Sequence, residues 1–328
     1  QQLYKQFMTK EDLRIVFLGT PDFAVESLSR IVSEGYNVVG VVTMPDKPAG
    51  RGHKMQQSPV KQFAIKHGLH LMQPPKLKDH SFVEELRSLN ADLFIVIAFR
   101  MLPEVVWTMP PLGTFNLHGS LLPRYRGAAP INRAIMNGDT RTGVTTFFLK
   151  HEIDTGDVID RRAIEIGPDE NVGSVHDRLM VLGAELTLDT LAHIVAGDLK
   201  PMPQQLMAEA AEACDAPKIF KDDCRLDWQR SARELHNHVR GLSPYPGAWT
   251  TMEADSNPAA DIKIFATRIA DEDCFGTTPG KVSIADRHMY VDCGKGRLEI
   301  LELQPTGKRR MATADWLLGA RISQVRFI

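Results

Sequence analysis

"LRIVFLGTPDFAVESLSRIVSEG", residues 13–35, decides the fold. Leu13–Leu18 is nearly all apolar, as a strand covered on both faces must be, and a helical period follows at once. Thr20 is placed to cap that helix, Pro21 suits its first position, and Gly35 can end it. The unit then repeats. Residues 36–44 form the next apolar run, and a helix opens at Ser58-Pro59 and closes near Gly68. A short strand at 69–74, a helix over 79–88 and a strand at 91–99 follow. Buried strands alternating with amphipathic helices predict an α/β fold, a Rossmann-like doubly wound and mostly parallel sheet. This catalytic domain is read as residues 8–196, ending in a long helix over about 172–196. The Pro- and Ala-rich stretch 197–217 reads as a linker. Beyond it, "SARE" (231–234) is a capping box, and short strands at 247–252, 261–268, 280–285, 288–292 and 297–303 suggest a small OB-like β-barrel over 218–328.

The bulk numbers fit two soluble domains: 328 residues, 43% hydrophobic, 24% charged, net charge −2. No apolar run approaches the roughly 20 residues of a membrane span, so no membrane partner is expected. Gln1 to Phe7, ahead of Met8, is set aside from fold reasoning. Cys214, Cys224, Cys274 and Cys293 lack Cys-x-x-Cys spacing, which points to free thiols in a reducing cytoplasm and to no metal. The near-neutral charge means that any nucleic-acid contact must rest on local patches.

A Rossmann-like sheet invites a dinucleotide, but the first turn, "GTPDFA", has one glycine where that fingerprint needs three, and Pro21 removes a backbone donor. The chemistry lies elsewhere. In "FNLHGSLLPRYRGAAP" (115–130), Asn116 and His118 lie two apart on a short strand that stops at Gly119, so they share one face at the strand's carboxyl end. In "KHEIDTGDVI" (150–159), Asp154 sits in an Asp-Thr-Gly turn between two apolar runs. An amide, an imidazole and a carboxylate from separate segments can converge on one carbonyl. The amide donates to developing negative charge, the imidazole donates or shuttles, and the carboxylate fixes the imidazole or a water. A lone histidine at a strand end is more often a satisfied surface group, and Asp-Thr-Gly is ordinary turn chemistry. What sets this pair apart is the unusual loop and the lack of any Ser, Cys or metal motif.

The same stretches resemble the 10-formyltetrahydrofolate-dependent formyltransferases. The resemblance covers nearly the whole chain: "FLGTPDFAV", "PDKPAGRGHKM", "SPVK", the Asn-x-His-x-Ser-Leu-Leu-Pro element, "IDTGD" and "WQRSARELHNHVRGLSPYPGAW". Within that family the branch acting on methionyl-tRNA is the most similar. The resemblance implies Asn116, His118 and Asp154 as the catalytic set. It implies Ser120, Leu121, Leu122 and Pro123 along the folate pocket, with Phe99, Arg100, Met101 and Leu102 as a further wall. Phe99-Arg100 departs from relatives that carry a small or aromatic residue followed by glycine, and Arg100 is expected to narrow or re-aim that wall. The implied reaction moves a formyl group from 10-formyltetrahydrofolate to the amine of initiator methionyl-tRNA. Formylation of a small amine, such as a nucleotide-linked amino sugar, is the alternative, and a non-catalytic folate- or RNA-binding module is the reading from another class. A monomer is expected.

The loop "MPDKPAGRGHKMQQSPVK" (44–61) exceeds the usual 2–6 residues of a βα connection. It carries Lys47, Arg51, Lys54 and Lys61 against Asp46 alone, and reads either as a solvated loop or as a basic finger for phosphates. The resemblance favours the finger, with Arg51 reaching the acceptor end of tRNA. In the second domain, Arg240, Lys308, Arg309 and Arg310 are candidate RNA contacts beside Tyr245 and Trp249, Trp249 being favoured as a core residue.

Overall fold

The computed structural model describes residues 8–328 apart from His53, Ser256, Gly276, Thr277, Arg321 and Ser323; the segment set aside above, Gln1 to Phe7, lies outside the described residues. The chain divides into two compact units. One holds residues up to 127 with 143–164 and 177–215, and the other holds 128–142, 165–176 and 216–328.

In chain order the elements up to residue 196 begin with β1 (Arg14–Gly19), α1 (Asp22–Ser33), β2 (Asn37–Val42), β3 (Lys47–Ala49), β4 (Lys54–Gln56), α2 (Pro59–Lys66) and β5 (Leu71–Met72), of which β3 and β4 form a separate two-stranded sheet. They continue with α3 (His80–Ser88), β6 (Leu93–Ile97), α4 (Glu104–Trp107), β7 (Thr114–His118), α5 (Pro130–Met136), β8 (Arg141–Phe148), β9 (Val158–Glu165) and α6 (Val172–Ala196). The sheet order is β5-β2-β1-β6-β7-β8-β9. β1 pairs in parallel with β2 on one side and β6 on the other, so the chain reverses its direction of travel across the sheet at β1. β7 joins β6 in parallel, and β8 runs antiparallel to β7. Ile15, Val16, Phe17 and Leu18 are fully buried, as a central strand covered on both faces requires. Gly19 is required by close approach: a Cβ there would lie 2.8 Å from both the Ala24 Cβ and the Ile97 carbonyl.

Two sequence readings are corrected. Pro21, not Thr20, is the residue flanking α1, with no side-chain cap, and the Thr20 hydroxyl is buried without a partner. The helix α6 is long and apolar enough by length and composition to cross a membrane, contrary to the reading that no run approached that limit. It packs instead as a core helix: Leu179, Ala184, Leu186 and Leu191 are fully buried, Gly183 lies against Leu117, and Thr190 hydrogen-bonds Thr146 at 2.9 Å. Asp177, Arg178, Glu185 and Asp189 interrupt its apolar surface.

In the second unit, α7 (Ala232–Gly241) is capped by Ser231, whose hydroxyl accepts from the Glu234 amide. Then come β10 (Ala248–Ala254), β11 (Asn257–Asp271), β12 (Val282–Ala285), β13 (His288–Asp292), β14 (Arg297–Pro305), β15 (Met311–Ala312), α8 (Thr313–Gly319) and β16 (Val325–Phe327). The strands form an antiparallel sheet, β12-β13-β14-β11-β10-β16, that nearly closes on itself: Phe327 N–H donates to the Gly280 carbonyl at 2.8 Å, joining the two edges. Trp228, Leu235, Ile262, Ile264, Met289 and Ile300 belong to its core.

The stretch read as a linker is ordered. Its residues up to 215 belong to the first unit, where Met202 exchanges two backbone hydrogen bonds with Val158 and the Gln204 side chain is 1% exposed.

Candidate active site

β7 ends at His118, and open α/β sheets bind ligands beyond the carboxyl ends of their strands. Asn116 and His118 point to the same face of β7, opposite Phe147 and Thr145 of β8. Asn116 is partly exposed, and its side-chain amide carries no hydrogen bond to another described residue. His118 is 7% exposed. Its Nε2 lies 2.7 Å from the Tyr125 carbonyl oxygen. A carbonyl only accepts, so Nε2 carries the hydrogen and, in the neutral ring, Nδ1 carries the lone pair. Nδ1 faces Asp154 Oδ2 at 3.7 Å, beyond direct hydrogen-bond range.

Asp154 is fixed from its own side. Its backbone has φ 57°, a left-handed conformation that Asp tolerates better than most residues, and Oδ2 accepts from the Gly127 amide at 2.8 Å. The turn is pressed against the sheet: a Cβ at Gly156 would lie 1.5 Å from the Phe148 carbonyl oxygen. One short loop therefore supplies both anchors, Tyr125 C=O to the imidazole and Gly127 N–H to the carboxylate. These backbone groups were invisible to a search by residue type.

Gln204 holds the same loop. Its Nε2 donates to the carbonyls of Asp154 at 2.8 Å and Gly156 at 2.9 Å, and its Oε1 accepts from Arg126 Nη2 at 2.7 Å and Nε at 3.1 Å. Sequence reasoning missed Gln204, because nothing in the Pro-Gln-Gln context marks a buried amide.

The segments expected to line a folate pocket divide in two. Ser120 is fully buried; its hydroxyl donates to the Arg124 carbonyl at 2.6 Å and its own carbonyl accepts from Thr145 Oγ1 at 2.7 Å. Leu122 is fully buried with Phe147, Val158 and Met207, and Pro123 is buried too. These three shape the loop from beneath, while Leu121 is partly exposed. After β6, Met101 is 70% exposed, Leu102 is buried and Phe99 is half-buried. The Arg100 guanidinium donates to the carbonyls of Pro74 at 2.7 Å and Pro75 at 3.0 Å and lies over the Phe99 ring, with burial lowering its pKa.

Of the basic candidates, Lys47, Arg51 and Lys54 are exposed on the β3–β4 hairpin. Lys61 is not free, since it pairs with Asp46 at 2.8 Å, and Gln73 donates to the same carboxylate at 2.9 Å. Asp46 is thereby held below the usual carboxylate range, first by Lys61 and then by Gln73. Lys308 and Arg309 are exposed, whereas Arg310 pairs with Glu302 and lies 4.3 Å over the Phe265 ring. Arg240, read as a phosphate contact, is 7% exposed and spends its guanidinium on Asn237 and the carbonyls of Gly167 and Glu170. It is a buried tie of the second unit, because its place on α7 turns it inward. Trp249 is half-buried, its N–H donating to the Lys221 carbonyl, with Lys221 and Arg225 each 5.5 Å from the ring. Tyr245 is 80% exposed. Among the described residues no group of three or more His, Cys, Asp or Glu is placed to hold a metal ion.

Comparison with known proteins gives a consistent picture. The family model described as formyl transferase matches residues 13–191, and that of the formyl transferase C-terminal domain matches residues 218–321. A methionyl-tRNA formyltransferase of Bacteroides fragilis is 54% identical over 318 residues, 97% of this chain and 98% of that protein. One from Porphyromonas gingivalis is 47% identical over 322 residues, 98% of this chain and all of that one. Among solved structures, an N-formyltransferase from Helicobacter canadensis in complex with folinic acid and dTDP-3-aminofucose aligns with a TM-score of 0.65 at 17% identity, covering 89% of this chain and 99% of that one. HypX from Aquifex aeolicus in complex with tetrahydrofolic acid aligns at 0.60 and 20% identity, covering 93% of this chain and 47% of that one. At such identities these structures share the fold alone.

Proposed function

The chain belongs to the formyl transferase family, and from that membership we propose that it transfers the formyl group of 10-formyltetrahydrofolate to the α-amino group of methionyl-tRNA. The product is N-formylmethionyl-tRNA for translation initiation, made in a bacterial-type cytoplasm. The observation that carries this reading is the imidazole–carboxylate pair, His118 Nδ1 to Asp154 Oδ2 at 3.7 Å, beside the uncommitted amide of Asn116 at the end of β7.

The reaction asks little of a base. An α-amino group titrates near about 8, so much of the attacking amine is already neutral. Its nitrogen bonds to the formyl carbon, and the carbonyl π pair moves onto oxygen. Asn116 donates to that oxyanion. Neutral His118 cannot, because its N–H is held by Tyr125; it donates only after taking a proton on Nδ1. That proton comes from the amine, which turns cationic as the bond forms. Asp154 stabilises the resulting imidazolium, either directly or through one water, as catalytic contacts tighten in the bound complex. The bond from the formyl carbon to N10 then breaks, the oxyanion pair re-forms the carbonyl, and the proton passes to N10. Tetrahydrofolate leaves and the amide remains.

Exposed Met101 and half-buried Phe99 after β6, with Leu121, supply surface for the pterin of the donor. Lys47, Arg51 and Lys54 on the hairpin and Lys308 and Arg309 on the second unit supply phosphate contacts for the RNA. A labelled-formyl assay tests the proposal, with initiator and elongator methionyl-tRNA and a nucleotide-linked amino sugar run in parallel. Label on charged tRNA alone supports it; label on the amino sugar alone replaces it.

A further inference from the structure

We propose that Gln204 is a positioning residue for formyl transfer, clipping together the two backbone segments that hold His118 and Asp154; the proposal rests on the function above. The side-chain amide is 1% exposed and fully used. Both N–H groups go to carbonyls of the Asp154 turn, and the oxygen takes two donors from Arg126. Arg126 stands between Tyr125, whose carbonyl orients His118, and Gly127, whose amide holds Asp154. One side chain thus spans the anchor loop of the imidazole and the turn of the carboxylate.

The chemistry selects glutamine. The Asp154 and Gly156 carbonyls need a donor pair, and the Arg126 guanidinium needs an acceptor; a primary amide offers both at a single group. Ionised glutamate supplies only acceptors, lysine only donors, and leucine neither. The main chain cooperates. Tyr125 (φ 60°) and Asp154 (φ 57°) are both left-handed, conformations that hold only when their surroundings fix them. The Gln204 segment fixes the loop a second time, since Cys214 accepts from the Tyr125 amide through Sγ at 3.3 Å and from the Arg126 amide through its carbonyl at 2.9 Å.

A buried amide that only stabilised the first unit would lower the unfolding temperature and leave turnover per folded molecule unchanged. A positioning residue changes turnover, because a misplacement of about 1 Å can cost about 100-fold. The test uses the full chain with Gln204→Glu and Gln204→Leu. Both are expected to lose about 100-fold in kcat while the KM for methionyl-tRNA and for the formyl donor moves less than about 3-fold. In an Asp154→Asn background the same changes should cost less than about 3-fold more, since the residues act as one unit. The 15N resonances of the His118 imidazole, read without substrate, should shift in both variants. That readout separates this proposal from the assigned function, which fails if the wild-type protein transfers no formyl group. Wild-type kcat in folded Gln204→Glu, additive losses with Asp154→Asn, or unmoved His118 resonances overturn the positioning role.

Discussion

His118 gives its Nε2 hydrogen to the Tyr125 carbonyl at 2.7 Å, and this single bond leaves Nδ1 as the nitrogen that meets Asp154 Oδ2 at 3.7 Å. Turning the ring over would give up that 2.7 Å bond to the Tyr125 carbonyl. We expect His118→Ala and Asp154→Asn each to lower kcat by about 100- to 10,000-fold, the range for a positioned acid–base group. Asparagine can still accept from Gly127 through its carbonyl oxygen, so Asp154→Asn should unfold like the wild type in a thermal melt. Near-wild-type turnover in either variant would remove the pair from the mechanism.

Asn116 should behave differently. An oxyanion donor acts on charge that exists only in the transition state, so Asn116→Ala is expected to lose about 100- to 1,000-fold in kcat, about 3–4 kcal/mol. Binding of tetrahydrofolate, measured by calorimetry, should stay within a few-fold. A variant that bound folate weakly yet turned over normally when saturated would make Asn116 a binding residue.

Arg51 and Arg240 make a contrasting pair. Arg51 is exposed on the hairpin, so Arg51→Ala should raise the KM for tRNA with kcat kept, and should reduce the slope of log affinity against log salt by about 1. Arg240 is buried on three acceptors, so Arg240→Ala should leave that slope alone and destabilise the second unit by about 1–3 kcal/mol per orphaned partner. Denaturant unfolding and filter binding across salt distinguish the two.

The second unit should lose stability in mild acid. Burial, with Arg230 nearby, pushes the His238 imidazole down to about 4, and its Nε2 has no partner. Above about pH 6.5 both folded and unfolded chains keep it neutral, so it adds no pH dependence. Between about 6.5 and 4 the unfolded chain takes up a proton that the folded chain refuses, and stability falls as pH falls, by about 3 kcal/mol over the window. His238→Leu should flatten that part of the curve in urea unfolding between pH 4 and 8. His236, also lowered chiefly by burial, leaves a residual slope.

The strand–helix alternation was legible because buried parallel strands are almost wholly apolar: Arg14–Gly19, Leu93–Ile97 and α6 at Val172–Ala196 all follow from hydrophobic period. Asn116 and His118 could be placed on one face because strands alternate. Arg240 could not be placed, since a cation on a helix looks the same in sequence whether it meets phosphate or a buried carbonyl. Gln204 was hidden for a related reason. Its value lies in main-chain carbonyls 48 and 50 residues away, and backbone groups carry no residue code.

The left-handed backbone at Asp154 also limits how this protein can change. A longer carboxylate would have to occupy an unfavourable main-chain basin while moving its oxygens away from the imidazole, so glutamate is no neutral neighbour of aspartate here. The residues most at ease in that basin are asparagine and glycine, each one nucleotide from an aspartate codon, and both delete the charge. Drift at this codon toward asparagine therefore leads to folded descendants that keep the turn and lose most of the turnover.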